Sequence, residues 1–298
     1  MWLFLAFLSA FLLGLYDVFK KAALTKNAVV PVLFFNTLFC SLIFLPFVLV
    51  SFFSPSLLQG SLLFVPEADF TTHCYIFVKA CIVLSSWLFA YFAMKHLPIT
   101  IASPIKASQP ILVLLGAMLI FSERLNVYQW IGVTLTIVSF FLLSKAGKKE
   151  GILFSHNKWI LFIVLATITG AASGLYDKFL LTRFDRMTVQ AWYNFYQCLM
   201  MGFILLFLWF PIRKHNPFQW RWQIVFISVF LSLADFAYFY ALSYPDAMIS
   251  IVSMIRRSGV IITFFAGAVF FHEKNLKNKA FDLLLVLLGM LFLYIGSK

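Results

Sequence analysis

Runs of about 20 apolar residues, parted by short polar stretches, fill the chain from one end to the other. Each run is long enough to cross about 30 Å of hydrocarbon as an α-helix. Ten spans are predicted, at about 2–24, 29–52, 73–95, 98–121, 127–144, 158–182, 188–210, 221–244, 246–271 and 278–296. A transmembrane barrel would instead show alternation over strands of about 10 residues, which is absent. The longest connection, "FSPSLLQGSLLFVPEADFTT" at 53–72, carries the Pro, Ser and Gly punctuation of a loop. No stretch could make a soluble domain, so any site must lie among the helices. The first span lacks a basic leader region and carries Asp17, Lys20 and Lys21, so it is expected to remain as a helix.

Composition agrees. The chain is 63% hydrophobic and 11% charged, whereas a soluble domain carries about 25% charged residues. The net charge of +12 points away from nucleic acid once its distribution is considered. Lys and Arg collect in cytoplasmic loops of membrane proteins. The connections after spans 1, 3, 5, 7 and 9 hold three, one, four, three and three of them, fourteen in all, against four on the other side. That bias places both termini outside, together with the acidic 53–72 loop. Lys20 and Lys21 are assigned to the interface. Cys40, Cys74, Cys81 and Cys198 lack CxxC spacing and are expected to be small buried hydrophobes. The five histidines sit at span ends or in loops without metal-ligand spacing. No GxSxG, HExxH or phosphate loop occurs, so neither an enzyme, a metal nor a cofactor is expected.

The chain reads as a duplicated half. "GLYD" occurs at 14–17 and at 174–177. "PVLFFNTLFC" (31–40) aligns with "VQAWYNFYQC" (189–198), pairing Asn36 with Asn194. "AYFAMKHLP" (90–98) aligns with "AYFYALSYP" (237–245), pairing Tyr91 with Tyr238. "SPIKAS" (103–108) aligns with "SMIRRS" (253–258), pairing Lys106 with Arg256, and "FSER" (121–124) with "FHEK" (271–274). The shared order implies two repeats, 1–145 and 158–298, joined by a basic linker at 146–157. Five helices is an odd number, so the second repeat enters the membrane from the opposite side. The predicted fold is therefore all-α and integral to the membrane, ten transmembrane helices forming two inverted five-helix repeats.

This pattern, above all "LPITIASPIKASQPILVLLGAMLIFSERL" at 97–125, resembles the EamA-type members of the drug/metabolite transporter superfamily. The resemblance covers nearly the whole chain. It implies a multi-pass protein of a cell membrane, the bacterial inner membrane, carrying a small metabolite. It also implies cytoplasmic termini, opposite to the charge bias. In sugar-phosphate translocators of the superfamily, basic residues on the fourth and ninth helices contact the phosphate; here those helices carry Lys106 and Arg256–Arg257.

Ionisable groups at membrane depth are costly and are functional candidates by default. Five bases inside the spans (Lys79, Lys106, Lys178, Arg256, Arg257) face three acids (Asp17, Asp177, Asp235). That positive excess calls for an anion, for which Arg supplies a fork and Lys a point charge. Lys106, Arg256 and Arg257 are the predicted substrate-binding bases. Asn36, Asn194, Gln197, Tyr91 and Tyr238 are the predicted polar lining. Asp235, Asp17 and Asp177 are the coupling candidates, Asp235 also being the expected partner of one arginine. Gly14 and Gly174 are expected to serve close helix packing, and Pro104 and Pro110 to disturb the fourth span. Glu123 and Glu273 are expected to be structural. The function read from these residues is secondary-active transport, by alternating access, of a small anionic or zwitterionic metabolite. The partners are that substrate and the bilayer, without nucleic acid; a homodimer is left open. Two alternatives stand beside it, a flippase of a lipid-linked phosphate or sugar and a non-transporting membrane scaffold or sensor.

Overall fold

The computed structural model describes residues 2–121, 126–148, 156–244, 252, 255–273 and 276–296. Its helices are α1 (Trp2–Leu24), α2 (Val29–Phe53), the single turn α3 (Pro55–Leu58), α4 (Phe70–His96), α5 (Ile99–Ala107) and α6 (Gln109–Phe121). They continue with α7 (Val127–Lys148), α8 (Lys158–Leu181), α9 (Arg186–Ile204), α10 (Gln223–Leu242), α11 (Val260–Val269) and α12 (Leu276–Gly296). All regular structure among the described residues is helical, and seven helices are long and apolar enough to cross a membrane. Helices are what an apolar chain forms in lipid, because each then satisfies its own backbone. Glu123, Arg124, Ser253, Lys274 and residues 149–155 of the linker lie outside the described residues.

Local chemistry sets the helix ends. Asp69, Asn157 and Asp185 cap α4, α8 and α9 by accepting from Thr72 N–H (3.0 Å), Trp159 N–H (2.9 Å) and Met187 N–H (2.8 Å). The Thr72 hydroxyl and N–H hold the Asp69 carboxyl below its usual range. The fourth span is broken, as its prolines foretold: α5 ends at Ala107 and α6 begins at Gln109. Pro110 cannot donate to the carbonyl of Lys106 and its ring crowds it. The Ser108 hydroxyl donates to Ile105 O at 2.6 Å. A matching break, 150 residues on, was not foreseen. Residues 255–257 are helical, 258–259 form a turn, and α11 starts at Val260. There the Ser258 hydroxyl donates to Ile255 O at 2.7 Å.

The bundle is apolar outside, and its apolar core encloses polar and charged groups. Phe4, Phe52, Phe70 and Phe207 are exposed, while Lys20, Asn36, Lys79, Gln190 and Gln197 are buried. α1 lies along α10, α4 along α8, α2 along α9 and α7 along α12; α6 rests on α8 and α11 on α1. Gly14 and Gly259 meet where α11 crosses α1. A Cβ on Gly259 would stand 2.4 Å from Ala10 O, and one on Gly14 would stand 2.9 Å from Gly259 O. Only glycine permits that approach. Gly259→Ala is accordingly expected to cost about 1–3 kcal/mol by overpacking, read as a lower unfolding temperature in detergent. In α8 the close contact is at Gly170, where a Cβ would meet Gln109 Oε1 at 2.8 Å. Gly174, the expected packing glycine, has room: its Cβ would find nothing nearer than 3.9 Å.

Two other expectations are corrected. Lys20 is not interfacial; it is fully buried and paired with Asp17. The Asp17 carboxylate three residues earlier makes its burial tolerable. Of the cysteines only Cys40 is buried, whereas Cys74 and Cys81 are exposed on the apolar outer surface of α4.

The end of the bundle that carries Lys26, Lys95, Lys158, Lys214 and Arg221 is sealed. Glu273 accepts from Ile99 N–H (2.7 Å), Thr100 N–H (3.1 Å) and the Thr100 hydroxyl, so it caps α5 from the other half of the chain. Asn27 and Gln219 bond reciprocally at 2.8 and 2.9 Å, and Arg221 donates to Ala22 O at 2.9 Å. Lys21 donates to the carbonyls of Met94 and Leu97.

Candidate functional site

A cleft lies inside the bundle, walled by α1, α4, the α5–α6 break, α8, α9, α10 and residues 256–257. Its walls are charged and aromatic. α4 supplies Lys79 and Trp87, the break Lys106 and Gln109, and α8 supplies Asp177. Tyr193, Asp235 and Tyr238 come from α9 and α10, with Arg256 and Arg257 following. A smaller space of about 260 Å³ adjoins it between α1, α5 and α11, lined by Asp17, Ser103, Lys106, Arg256, Arg257 and Gly259. The cleft reaches toward the end opposite the seal: Asp177 is near the last turn of α8, and Phe239 near the last turn of α10.

Three carboxylates organise the bases. Asp177 pairs with Lys79 across α8 and α4. Asp235 holds Arg256 with one oxygen and accepts from the Tyr193 hydroxyl at 2.7 Å with the other. Asp17 is shared, pairing with Lys20 and lying 3.7 Å from Lys106. Aromatic faces support the cations. Lys20 is 4.2 Å from the Tyr16 ring, Lys79 is 4.8 Å from Tyr193, and Arg256 is 4.2 Å from Tyr238. Arg257 differs. Among the described residues no carboxylate comes within ion-pair distance of it. Its guanidinium faces both spaces, as does Lys106, and the buried Ser103 hydroxyl beside them has no partner. Five bases thus surround three acids, a surplus of two positive charges.

The structure gathers Lys106, Arg256, Arg257, Tyr238, Asp177 and Asp235 around the cleft and Asp17 beside it. It does not bring Asn36, Asn194, Gln197 or Tyr91 to the lining. Tyr91 lies beneath Lys20 with its ring 5.4 Å from the ammonium. Asn36 accepts from Ser228 at 3.2 Å, and Asn194 donates to Gln190 O at 2.8 Å, both within the α2–α9–α10 packing. Tyr176 likewise stays outside, donating to Tyr75 O at 3.2 Å. Sequence reasoning passed over Lys79 and Lys20 as site residues and missed Gln109. For the lysines the signal was present, since each sits at helical spacing beside aromatic or acidic residues inside an apolar span.

Apolar helices packed around a charged internal cleft mark a multi-pass membrane protein. The chain belongs to the EamA-like transporter family, whose profile matches residues 1–145 and again residues 157–295. That family lies within the drug/metabolite transporter superfamily. A solved structure titled only "Crystal structure of protein" is similar, with a TM-score of 0.65 and 12% identity over 99% of this chain and 96% of that one. At that identity it supports the fold alone. No curated protein matches the chain.

Proposed function

We propose that the chain is a secondary-active transporter for a small metabolite bearing a carboxylate or phosphate, which Arg257 and Lys106 bind. The observation that carries this reading is the Arg257 guanidinium, which faces the cleft with no carboxylate partner among the described residues. A half-buried charge lacking a counterion draws one in, and an anion's oxygens match the guanidinium's fork of donors. Lys106 adds a point charge on the same side, and Ser103 a hydroxyl.

Alternating access rests on ten spans arranged as two inverted five-helix repeats. Several features support that arrangement. The helix breaks at Ser108 and Ser258 are 150 residues apart and share a serine-to-carbonyl bond. The contact of Gln109 with Gly170 and that of Gly259 with Ala10 are related by offsets of 150 and 160. Exchanging the repeats also turns the α1–α10 pair into the α8–α4 pair. Broken helices at a central site are what inverted-repeat carriers use. The positive-inside rule places the sealed basic end in the cytoplasm, so the conformation here is outward-facing.

Glu273 would hold that state. Glu273→Ala removes three hydrogen bonds to a carboxylate, each worth about 1.5–3 kcal/mol. At least a tenfold population shift is expected, read as labelling of Ser103→Cys by a water-soluble thiol reagent from the basic end, on a background without native cysteines. Purified protein in liposomes tests the transport reading. Saturable uptake of labelled carboxylates or phosphate esters, competed by other anions, is expected. A scaffold or sensor would move none.

One observation favours a second reading, the flippase. An apolar cavity of about 640 Å³, lined by Ile105, Ile111, Leu115, Val133, Ile137 and Ile168, lies between α5, α6, α7 and α8. The seam beside it is bridged by Gln109, which donates to Gly170 O at 2.7 Å and also lines the charged cleft. An anionic amphiphile would place its head in the cleft and its tail there. Competition by a tailed phosphate but not by its free head group would favour it.

A further inference from the structure

Behind Asp235, away from the cleft, α2, α9 and α10 enclose polar groups that the transport site does not use. Among the described residues, the Asn36 Nδ2 amide and both the Nε2 and Oε1 atoms of Gln197 are buried without a hydrogen-bond partner. Both residues are fully buried. Ser41 donates to Asn194 O at 3.0 Å, which fixes the antiparallel register of α2 and α9. The next turn of α9, with Gln197, therefore lies against the turn of α2 that holds Asn36 and Cys40. Ser228 and Ser232 close the space from α10: Ser228 donates to Asn36 Oδ1 at 3.2 Å, and Ser232 faces the Cys40 thiol. Ser232 stands one turn before Asp235 on α10. Leaving three buried amide atoms unpaired is expensive. Bare donors beside a bare acceptor do not suit a metal cation, which needs acceptors only. They suit water, which donates and accepts.

We infer that Asn36, Gln197 and Ser232 hold a buried water chain behind Asp235, and that Asp235 exchanges its proton through it. The proton role rests on the transport reading above; the water site does not. A hydronium ion gives one proton to the Asp235 carboxylate and becomes water. The carboxyl is then neutral, and Arg256 keeps its charge without a counterion. An incoming anion supplies the missing negative charge, so one proton accompanies each anion bound. Release of the proton restores the Asp235–Arg256 pair. Charged and titratable groups face Asp235 from every neighbouring element: Tyr16, Cys40, Asp177, Tyr193, Tyr238, Arg256 and Arg257. Lys79 lies behind the Tyr193 ring. Of these, Cys40 is the group on the water side, and it serves as the reporter.

Two arms test the inference on the full-length protein. The first is hydroxyl-radical footprinting, which oxidises side chains next to bound water. Cys40 is expected to be oxidised well above Met94, an equally buried sulfur of the apolar core. That excess is expected to vanish in Gln197→Leu, or in Ser232→Val should the first variant not fold. Equal oxidation of Cys40 and Met94 in the parent protein overturns the water site. The second arm uses liposomes with an internal pH dye and an inward gradient of sulfate, an anion that does not buffer at neutral pH. The parent protein is expected to acidify the lumen, and protons taken up per sulfate are expected to fall in Gln197→Leu. An unchanged ratio overturns the proton route. If the parent protein moves no sulfate, the proton route falls with the transport of that anion, while footprinting decides the water site independently.

Discussion

Lys79→Met is expected to destabilise the protein by about 3–5 kcal/mol, because it strands the Asp177 carboxylate in a buried setting. Both side chains lie inside the bundle, and the Lys79 ammonium also sits against the Tyr193 and Phe239 rings. Asp177→Leu should cost a similar amount for the mirrored reason. The double variant Lys79→Met/Asp177→Leu should recover most of the loss, since replacing a buried pair by packed apolar groups is often close to neutral. Denaturant unfolding of the four proteins in detergent gives the coupling. Additive losses would mean that the two groups do not act as a pair, and a loss below about 1 kcal/mol would put them in a screened, surface-like setting.

Arg257→Gln is expected to weaken anion binding at least about 30-fold, with little change in stability. Truncating one member of a buried charge pair costs about 2–5 kcal/mol of binding, and here the other member is the ligand. Among the described residues, no carboxylate loses a partner by this change. Arg257→Lys keeps the charge but not the fork, so an intermediate affinity is expected. Arg256→Gln should behave differently. Among the described residues it leaves Asp235 with the Tyr193 hydroxyl alone, so stability should fall along with affinity. Calorimetric titration beside unfolding curves separates the two arginines, and equal behaviour would deny Arg257 its special place.

Much of this was legible in the chain because a membrane allows few solutions. The apolar runs announced the helices, and Pro104 with Pro110 announced the break in the fourth span. Lys106 and Arg256, singled out as bases inside apolar spans, both line the cleft. What escaped were matters of azimuth and depth. Asn194 and Gln197 share one face of α9, but a polar face does not say whether it looks into a cleft or onto a neighbouring helix; here it looks onto α2 and α10. Lys20 looked interfacial because its position near the end of α1 suggested snorkelling, whereas Asp17 and two tyrosine rings draw it inward. Gln109 gave no signal, because its role arises only where Gly170 of a distant helix leaves it room. The second break, at Ser258–Gly259, lacks a proline to signal it.

The most direct test of an anion site at Arg257 is thermal unfolding of the purified protein against phosphate esters, carboxylates, amino acids and cationic drugs. A ligand at 100 times its Kd stabilises the native state by about 2.7 kcal/mol. Stabilisation by phosphates or carboxylates, lost in Arg257→Gln, is the predicted result. Stabilisation by cationic drugs, or anion effects that survive the substitution, would contradict it and return the arginine to a structural role.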